Sequence, residues 1–562
     1  MKKTITWMFI AIFALATANG SIPPAHQLAE HIDSLVSQYH EDLQPGGVIA
    51  VLSGNEVLFS NSYGVMSKEG PVMNDVNTLF DIASLAKQFT AYAILTLERE
   101  GKLCLDDDIR QYLPRLPDYG RKITIRNLIQ HTSGIASTDV LRLLSGRHFD
   151  EAWDQDNELE LIYSYPQLNF EPNDFHVYSN AGYSLLAAIV ENVSGTDFPS
   201  YLTQTILAPL GMHSTKIITS IPNMQLPLAT GYEKQNEQFV PVSSTMDHSY
   251  GGGNMVSSLT DMIRWTQNIL SPTTGIRDFY QLISQPYNTL NNGDTLNYTY
   301  GMRVRNFKGV KIAEHQGGIP GFDSRLMFYP DHDIAVIMMF NNQSISTFRL
   351  ANGLTEILLG ELPDQPVAAA RETIELSPEY LQPLQGSYLM PDGVELGFKV
   401  ERDTLWLHLP SGHVFPMFAE NKNSFYQPNL GAECTFVKND NQKADQLLWR
   451  QQGHEYTAPR VTERIELKPS EFPAFSGDYT QSDLGVTWPL VFEDEKLILK
   501  TPDTFKRYLG FESVELNHIN GDRFYTRWLG AIEFTRDNNS QIDGFIIYNI
   551  GRLQNIRFAR EI

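Results

Sequence analysis

The chain has little cysteine, and beyond its first residues it has no long apolar run. Two of its 562 residues are cysteine. Cys104 and Cys434 lie far apart and belong to different expected domains, which argues against a disulfide framework. Metal-ligand spacing is missing too: His131, His176, His213 and His315 are dispersed, and no paired Cys or His motif occurs. Neither a metal nor a cofactor is therefore expected. Basic residues are outnumbered, 43 Lys and Arg against 66 Asp and Glu, for a formal net charge of -23. That balance excludes nucleic acid and anionic membrane as natural partners and favours solubility.

The amino terminus sets an expected compartment. Lys2 and Lys3 precede the apolar stretch Ile5 to Leu15, which gives way to Ala16-Thr17-Ala18-Asn19-Gly20. A charged start, a short apolar centre and small residues have the form of a secretory signal peptide over 1–20. The apolar centre is short for a membrane span, and no cysteine follows to accept a lipid. The mature protein is expected to be periplasmic or secreted, with no stable membrane anchor after cleavage. An uncleaved amino-terminal anchor is the alternative.

A chain of this length exceeds one ordinary domain. Residues 21–362 mix helical and strand patterns. An opening helix is expected over 27–42, strands over Gly47–Ser53 and Glu56–Tyr63, two more within Ser324–Asn341, and a closing helix over Thr347–Leu359. This is an α+β pattern around an antiparallel sheet. Residues 363–376, with Pro363, Pro366 and Ala368-Ala369-Ala370, have linker composition. After them the pattern turns to short alternating strands, twice. Gly386-Ser387-Tyr388 recurs as Gly477-Asp478-Tyr479, Phe425-Tyr426 as Phe524-Tyr525, Leu430-Gly431-Ala432 as Leu529-Gly530-Ala531, and Gly453 as Gly551. Matched features in one order signal a duplication, read as two small antiparallel β-barrels over 377–463 and 464–562. A single larger sheet is the competing arrangement.

Three motifs carry chemistry. Ser84 and Lys87 form an S-x-x-K tetrad, and three residues apart on a helix they share one face. The apolar run Phe89–Leu97 behind them would desolvate the lysine and lower its pKa, which suits it to take the serine proton. Tyr178-Ser179-Asn180 opens an apolar helix. Its phenol could serve as base and then as acid to a leaving group, and Asn180 could bridge Lys87 and a substrate amide. His315-Gln316-Gly317-Gly318 follows a strand-like run from Val310 to Ala313. Its glycines permit close backbone approach, so that a strand N–H could join the Ser84 amide in an oxyanion hole. Each motif alone also reads as ordinary structure: a surface serine and lysine, a packed tyrosine with a capping asparagine, a histidine before a glycine turn.

Together, and in this order, the motifs resemble those of the serine β-lactamase and penicillin-binding-protein superfamily. The likeness is greatest to the branch holding class C β-lactamases, D-aminopeptidases, D-alanyl-D-alanine carboxypeptidases and esterases. Ile123 to Gly134, Pro209 to Met212 and Gly251 to Ser257 fit the same pattern, and the resemblance spans roughly 27–360. It implies Ser84 as nucleophile, Lys87 and Tyr178 as proton-transfer partners, and Asn180, His315 and Gly317 as substrate-binding residues. It also implies an oxyanion hole made by the Ser84 and Gly318 amides. β-Lactamases usually carry lysine where His315 stands, which demotes β-lactam hydrolysis; the histidine resembles the aminopeptidase and esterase members more. Two trailing barrels resemble the D-aminopeptidase arrangement. The expected activity is hydrolysis of a small peptide or ester, including peptidoglycan-derived peptides, with a D-residue peptidase first and an esterase second. A cell-wall or peptide-binding protein without turnover is the reading from another class.

Overall fold

The computed structural model describes residues 22–40, 43–149, 151–219, 227–242, 249–285, 288–360, 362, 371, 373–451 and 454–561. The expected leader, residues 363–370 and 372 of the expected linker, and Gly453 lie outside them. In chain order, the elements that frame the first domain begin with helix α1 (Ala25–Ser37), strands β1 (Gly47–Ser53) and β2 (Glu56–Tyr63), and helix α2 (Ala86–Arg99). Helices α3 (Asn180–Ser194) and α4 (Leu259–Leu270) follow. Strands β3 (Tyr298–Thr299), β4 (Met302–Phe307), β5 (Val310–Ile319), β6 (Phe322–Tyr329) and β7 (Ile334–Phe340) come next, and helix α5 (Thr347–Leu359) closes the domain.

The strands form one antiparallel sheet in the order β3-β4-β5-β6-β7-β1-β2. β7 is apolar at every position because both faces of the sheet are covered. Ile334, Val336 and Met338 join α1 and α5 in one core. Ala335, Ile337 and Met339 face the other core, with Phe89 of α2 and Trp265 of α4. This is the period-2 alternation of a pleated strand. Each of the larger side chains, fully buried, contributes roughly 1.5–3 kcal/mol. α2 lies inside the second core, buried from Ala86 to Leu95, which brings its amino-terminal end up against β5.

Two eight-stranded antiparallel barrels follow, the first from Gly386 to Pro459 and the second from Gly477 to Arg560. Two separate units replace the single larger sheet. A ladder pairing Tyr479 with Arg560 and Thr480 with Ala559 closes the second barrel; a bridge from Tyr388 to Arg460 brings the ends of the first together. Both copies share one closure. Gly386 (φ +147°) and Gly477 (φ +156°) leave room where a Cβ would lie 2.6 and 2.8 Å from the guanidinium nitrogens of Arg460 and Arg560. Those arginines donate to Pro383 O and Ala474 O, each at 3.2 Å. Tyr388 and Tyr479 donate back to Leu384 O (2.9 Å) and Phe475 O (2.5 Å).

The second barrel is fused to the first domain through a shared apolar core, in which Leu141, Leu144 and Trp153 pack with Trp488, Phe505 and Leu553. Among the described residues no helix is long and apolar enough to cross a membrane.

Candidate active site

Ser84 sits on a 3-10 turn, Ala83–Leu85, that leads into α2. The sequence reading placed it on the helix itself; the turn lifts it out at the helix mouth. Ala83 holds φ +46°, an uncommon conformation for a residue with a side chain. The Asp81 carboxylate stabilises it by accepting from Ala83 N–H at 2.8 Å. Desolvation raises Asp81 to about 6, and that same hydrogen bond opposes the rise.

Lys87, one helical turn on, is fully buried. Its Nζ lies 2.8 Å from Asn180 Oδ1, 2.5 Å from Gly252 O and 3.1 Å from Ser84 Oγ. Burial lowers its pKa to about 7; Asp139 raises it and Arg552 lowers it further. A neutral lysine has two N–H donors and one lone pair. Asn180 and Gly252 take the donors, which leaves the lone pair for the Ser84 hydroxyl. The Gly252 carbonyl is a functional group that sequence reasoning missed. It reaches Lys87 because Gly251 (φ +96°) lies where a Cβ would stand 2.3 Å from Tyr183 O. The run Gly251-Gly252-Gly253 was the available signal.

Tyr178 stands in the loop before α3. Ser179 caps that helix, its Oγ accepting from Gly182 N–H, so Asn180 is released from capping and its side chain turns inward. Asn180 Nδ2 donates to Asp139 Oδ2 at 3.1 Å, which makes Asp139 a second residue that the sequence reading missed. The loop is fixed from beneath: His131 (φ +58°) accepts from Ser179 N–H through Nδ1 at 3.1 Å. Its ring lies 4.3 Å from that of Tyr178, and burial holds it neutral. The Tyr178 hydroxyl is covered and has no hydrogen-bond partner of good geometry in the resting site. Burial lifts its pKa well above 10, with partial relief from the Ser84 hydroxyl and from Arg552. Sequence alone gave Tyr178 a share of the base role. Its environment favours the protonated phenol, whereas that of Lys87 favours the neutral amine.

The third motif lies within a strand: β5 continues through His315 to Ile319 and turns only afterwards. A Cβ on Gly317 would stand 2.0 Å from Ile82 O, whereas one on Gly318 would meet nothing closer than Gln316 Nε2 at 4.0 Å. Gly317 thus lets β5 lie against the Ser84 turn, and Gly318 faces the cavity. His315 was expected to line the cleft as a substrate contact. Instead its Nδ1–H donates to Gln316 O (2.7 Å) and its Nε2 accepts from Tyr298 Oη–H (3.0 Å). Burial and nearby Lys87 push its pKa down to about 3. The imidazole is a neutral structural ring, and it offers no cation to a substrate.

A cavity of about 220 Å³ opens above these groups. Ser84, Asn180, Gly252, Gly253 and Gly318 line it, with the carboxylates of Asp81, Asp139 and Glu158. Lys87, Tyr178, His315 and Gly317 stand behind that wall. A serine hydroxyl touching a buried amine, a phenol beside them and a strand glycine opposite are the groups that acyl transfer requires.

The Beta-lactamase family model matches residues 32–359. Penicillin-binding protein 4* of Bacillus subtilis (strain 168) is 28% identical over 453 residues, which span 77% of this chain and 98% of that protein. A D-aminopeptidase of Brucella anthropi is 27% identical over 312 residues, or 55% of this chain and 59% of that protein. The octameric penicillin-binding protein homologue from Pyrococcus abyssi superimposes with a TM-score of 0.53 at 21% identity, over 77% of this chain and 99% of its own. That last likeness is one of fold. With the family model matched over more than half the chain, the protein belongs to the β-lactamase family and is a serine hydrolase.

Proposed function

We propose that the chain is an exported peptidase or amidase that cleaves short peptides containing D-residues, peptidoglycan-derived ones included, through a Ser84 acyl-enzyme. The resting geometry of Lys87 carries this reading: a buried amine with a pKa of about 7, held by Asn180 Oδ1 and Gly252 O, with Nζ 3.1 Å from Ser84 Oγ. Neutral Lys87 takes the Ser84 proton as Oγ attacks the substrate carbonyl. The developing oxyanion accepts from the amides of Ser84 and Gly318, a hole in which one donor is typically worth ~100- to 1,000-fold in rate. Tyr178 gives its proton to the departing nitrogen, and the phenolate that remains is balanced by Lys87, whose Nζ lies 4.8 Å from the ring centre. In the second half, Tyr178 takes a proton from water, the hydroxide attacks the acyl carbon, and Lys87 returns its proton to Ser84 Oγ. A phenol kept protonated until it is needed serves an amide more than an ester, because an amine leaves poorly without a proton. Similarity to a D-aminopeptidase and a penicillin-binding protein supports D-residue substrates, and the amino-terminal segment supports export.

The test is hydrolysis of matched D- and L-alanyl p-nitroanilides and a p-nitrophenyl ester, with Ser84→Ala as control. Turnover of the D-anilide that disappears in the variant is the expected result. Ser84-dependent cleavage of the ester alone would make the protein an esterase instead.

A further inference from the structure

The tip of the last hairpin of the second barrel, between Ile542–Ile550 and Leu553–Arg560, docks beside the loop that carries Tyr178, with Arg552 part exposed. Asn169, on the segment that leads to Tyr178, clamps the tip from both sides: Nδ2 donates to Arg552 O at 2.7 Å, and Oδ1 accepts from Gln554 N–H at 3.1 Å. Gly551 (φ +60°) takes the turn, where a Cβ would rest 3.4 Å from Val140 Cγ2. More bonds hold the barrel in place. Thr504 Oγ1 donates to Leu143 O at 2.8 Å, and Phe149 N–H donates to Tyr508 Oη at 2.7 Å.

The Arg552 guanidinium is thereby delivered to the Ser84 centre. It lies 5.0 Å from the centre of the Tyr178 ring, and Nη1 stands 3.7 Å from Asp139 Oδ2. Asp139 holds Asn180, which in turn holds Lys87. We propose that Arg552 is a positioning residue of this centre, contributed by the second barrel: it engages Asp139 and covers Tyr178, so the docked barrel is part of the reacting site. The inference rests on Lys87 being the base.

The charges that face Lys87 come from several elements. Asp81 ends the short strand Phe80–Asp81 before the Ser84 turn, Asp139 lies on the helix after Ser137, and Arg552 on the barrel hairpin. His131, His315, Tyr178, Tyr183 and Tyr298 are the neutral rings around it. Asp139 favours the protonated lysine and Arg552 opposes it. Without Arg552, Asp139 acts unopposed and the fraction of neutral lysine at pH 7 falls. The Tyr178 phenolate, formed as the leaving group takes its proton, also loses an adjacent cation. Lys87 and Arg552 stand at most about 10 Å apart across the shared ring. With Arg552 43% exposed, solvent weakens the coupling, and a shift of about half to one pH unit is expected.

The experiment is the pH dependence of kcat/KM on the p-nitrophenyl ester for the full chain, for Arg552→Gln, Arg552→Lys and Asp139→Asn, and for the double variant Arg552→Gln/Asp139→Asn. Arg552→Gln should move the acid limb up by about half to one pH unit, Asp139→Asn should move it down, and the double variant should lie between them. Arg552→Lys should restore most of the wild-type profile. Opposite shifts cannot come from loosened packing. An unchanged limb in Arg552→Gln, or shifts of one sign in both single variants, would overturn the proposal. Should Arg552→Gln not fold, Arg552→Met, which keeps an unbranched side chain over Tyr178 and removes the charge, decides the sign. A wild-type profile with no limb near pH 7 would remove the Lys87 assignment itself, and the inference with it.

Discussion

Gly317→Ala and Gly318→Ala differ by one residue and one methyl group, yet their expected effects separate sharply. The Gly317 methyl would stand 2.0 Å from Ile82 O, a backbone atom on the segment that leads into the Ser84 turn. Carbon and oxygen do not tolerate less than about 3 Å, so β5 and the turn must part by more than about an ångström. Neither side can yield cheaply. β5 is paired with β6 from Ala313 to Ile319, and Asp81 and the buried start of α2 hold the turn. Overpacking of this kind costs about 1–3 kcal/mol of stability. The same displacement carries the Gly318 amide away from the oxyanion, which typically costs ~100- to 1,000-fold in rate, about 3–4 kcal/mol. Gly318→Ala keeps its N–H, and its methyl meets only the tip of a flexible glutamine side chain at 4.0 Å; a loss within about tenfold is expected, since one methyl in a binding site is worth at most a few kcal/mol. The assay is kcat/KM on the activated ester, with thermal unfolding measured alongside. A Gly317→Ala enzyme within threefold of wild type, or a Gly318→Ala enzyme that loses as much as Gly317→Ala, would refute the account of the hole.

Two further outcomes follow from the same geometry. Because burial sets Lys87 at about 7, kcat/KM should fall about tenfold per pH unit below 7. Asp81→Asn should leave that limb in place although Asp81 itself titrates near 6; a limb that vanishes with Asp81 would transfer it to the carboxylate. The sign for stability is the reverse of the common lysine case. Between about 7 and the ordinary value of 10.5 the unfolded chain holds a proton that the folded chain lacks, so this group raises stability as pH climbs through that window, which denaturant midpoints at pH 7.5 and 9.5 can check against Lys87→Met. In the barrels, Arg560→Met should lower stability by about 1–3 kcal/mol, because Ala474 O and its neighbours lose their donor. Equal unfolding midpoints for Arg560→Met and wild type would exclude a closing role.

The contact between Ser84 and a buried Lys87 was legible because an S-x-x-K tetrad before an apolar helix fixes spacing, face and burial at once. The sheet was legible because β7 and its neighbours carry long apolar runs that only a twice-covered strand needs. Two assignments shifted for reasons that spacing does not encode. Whether a phenol beside a lysine is lowered by the cation or raised by burial depends on which effect is larger, and at Tyr178 burial is. His315 stands in the expected motif, but Tyr298 and the Gln316 carbonyl claim both its nitrogens; the strand continues through it rather than ending before it. Asp139 and Arg552 were invisible for a different reason. Neither has a motif, and they meet only because the second barrel docks its last hairpin beside Tyr178.

The duplication separates what a barrel requires from what one barrel has acquired. Gly386 and Gly477, Tyr388 and Tyr479, and Arg460 and Arg560 recur in both copies and make the same closure in each. Such shared residues are explained by the need to bring the first and last strands together, wherever the barrel sits. Arg552 has no such counterpart: the repeat that aligns Gly453 with Gly551 places His454 opposite it. A barrel closes with either residue at its hairpin tip, so folding alone does not select the arginine. What distinguishes the second tip is its surroundings, the Asn169 clamp, the Asp139 carboxylate and the face of Tyr178. A permanent cation with a planar guanidinium suits those three neighbours, because it can lie on an aromatic ring and meet a carboxylate at once. An imidazole, neutral for much of its time near pH 7, would leave Asp139 unopposed beside Lys87. The difference between the two copies therefore lies where the second one touches the catalytic domain, and its physical content is one positive charge.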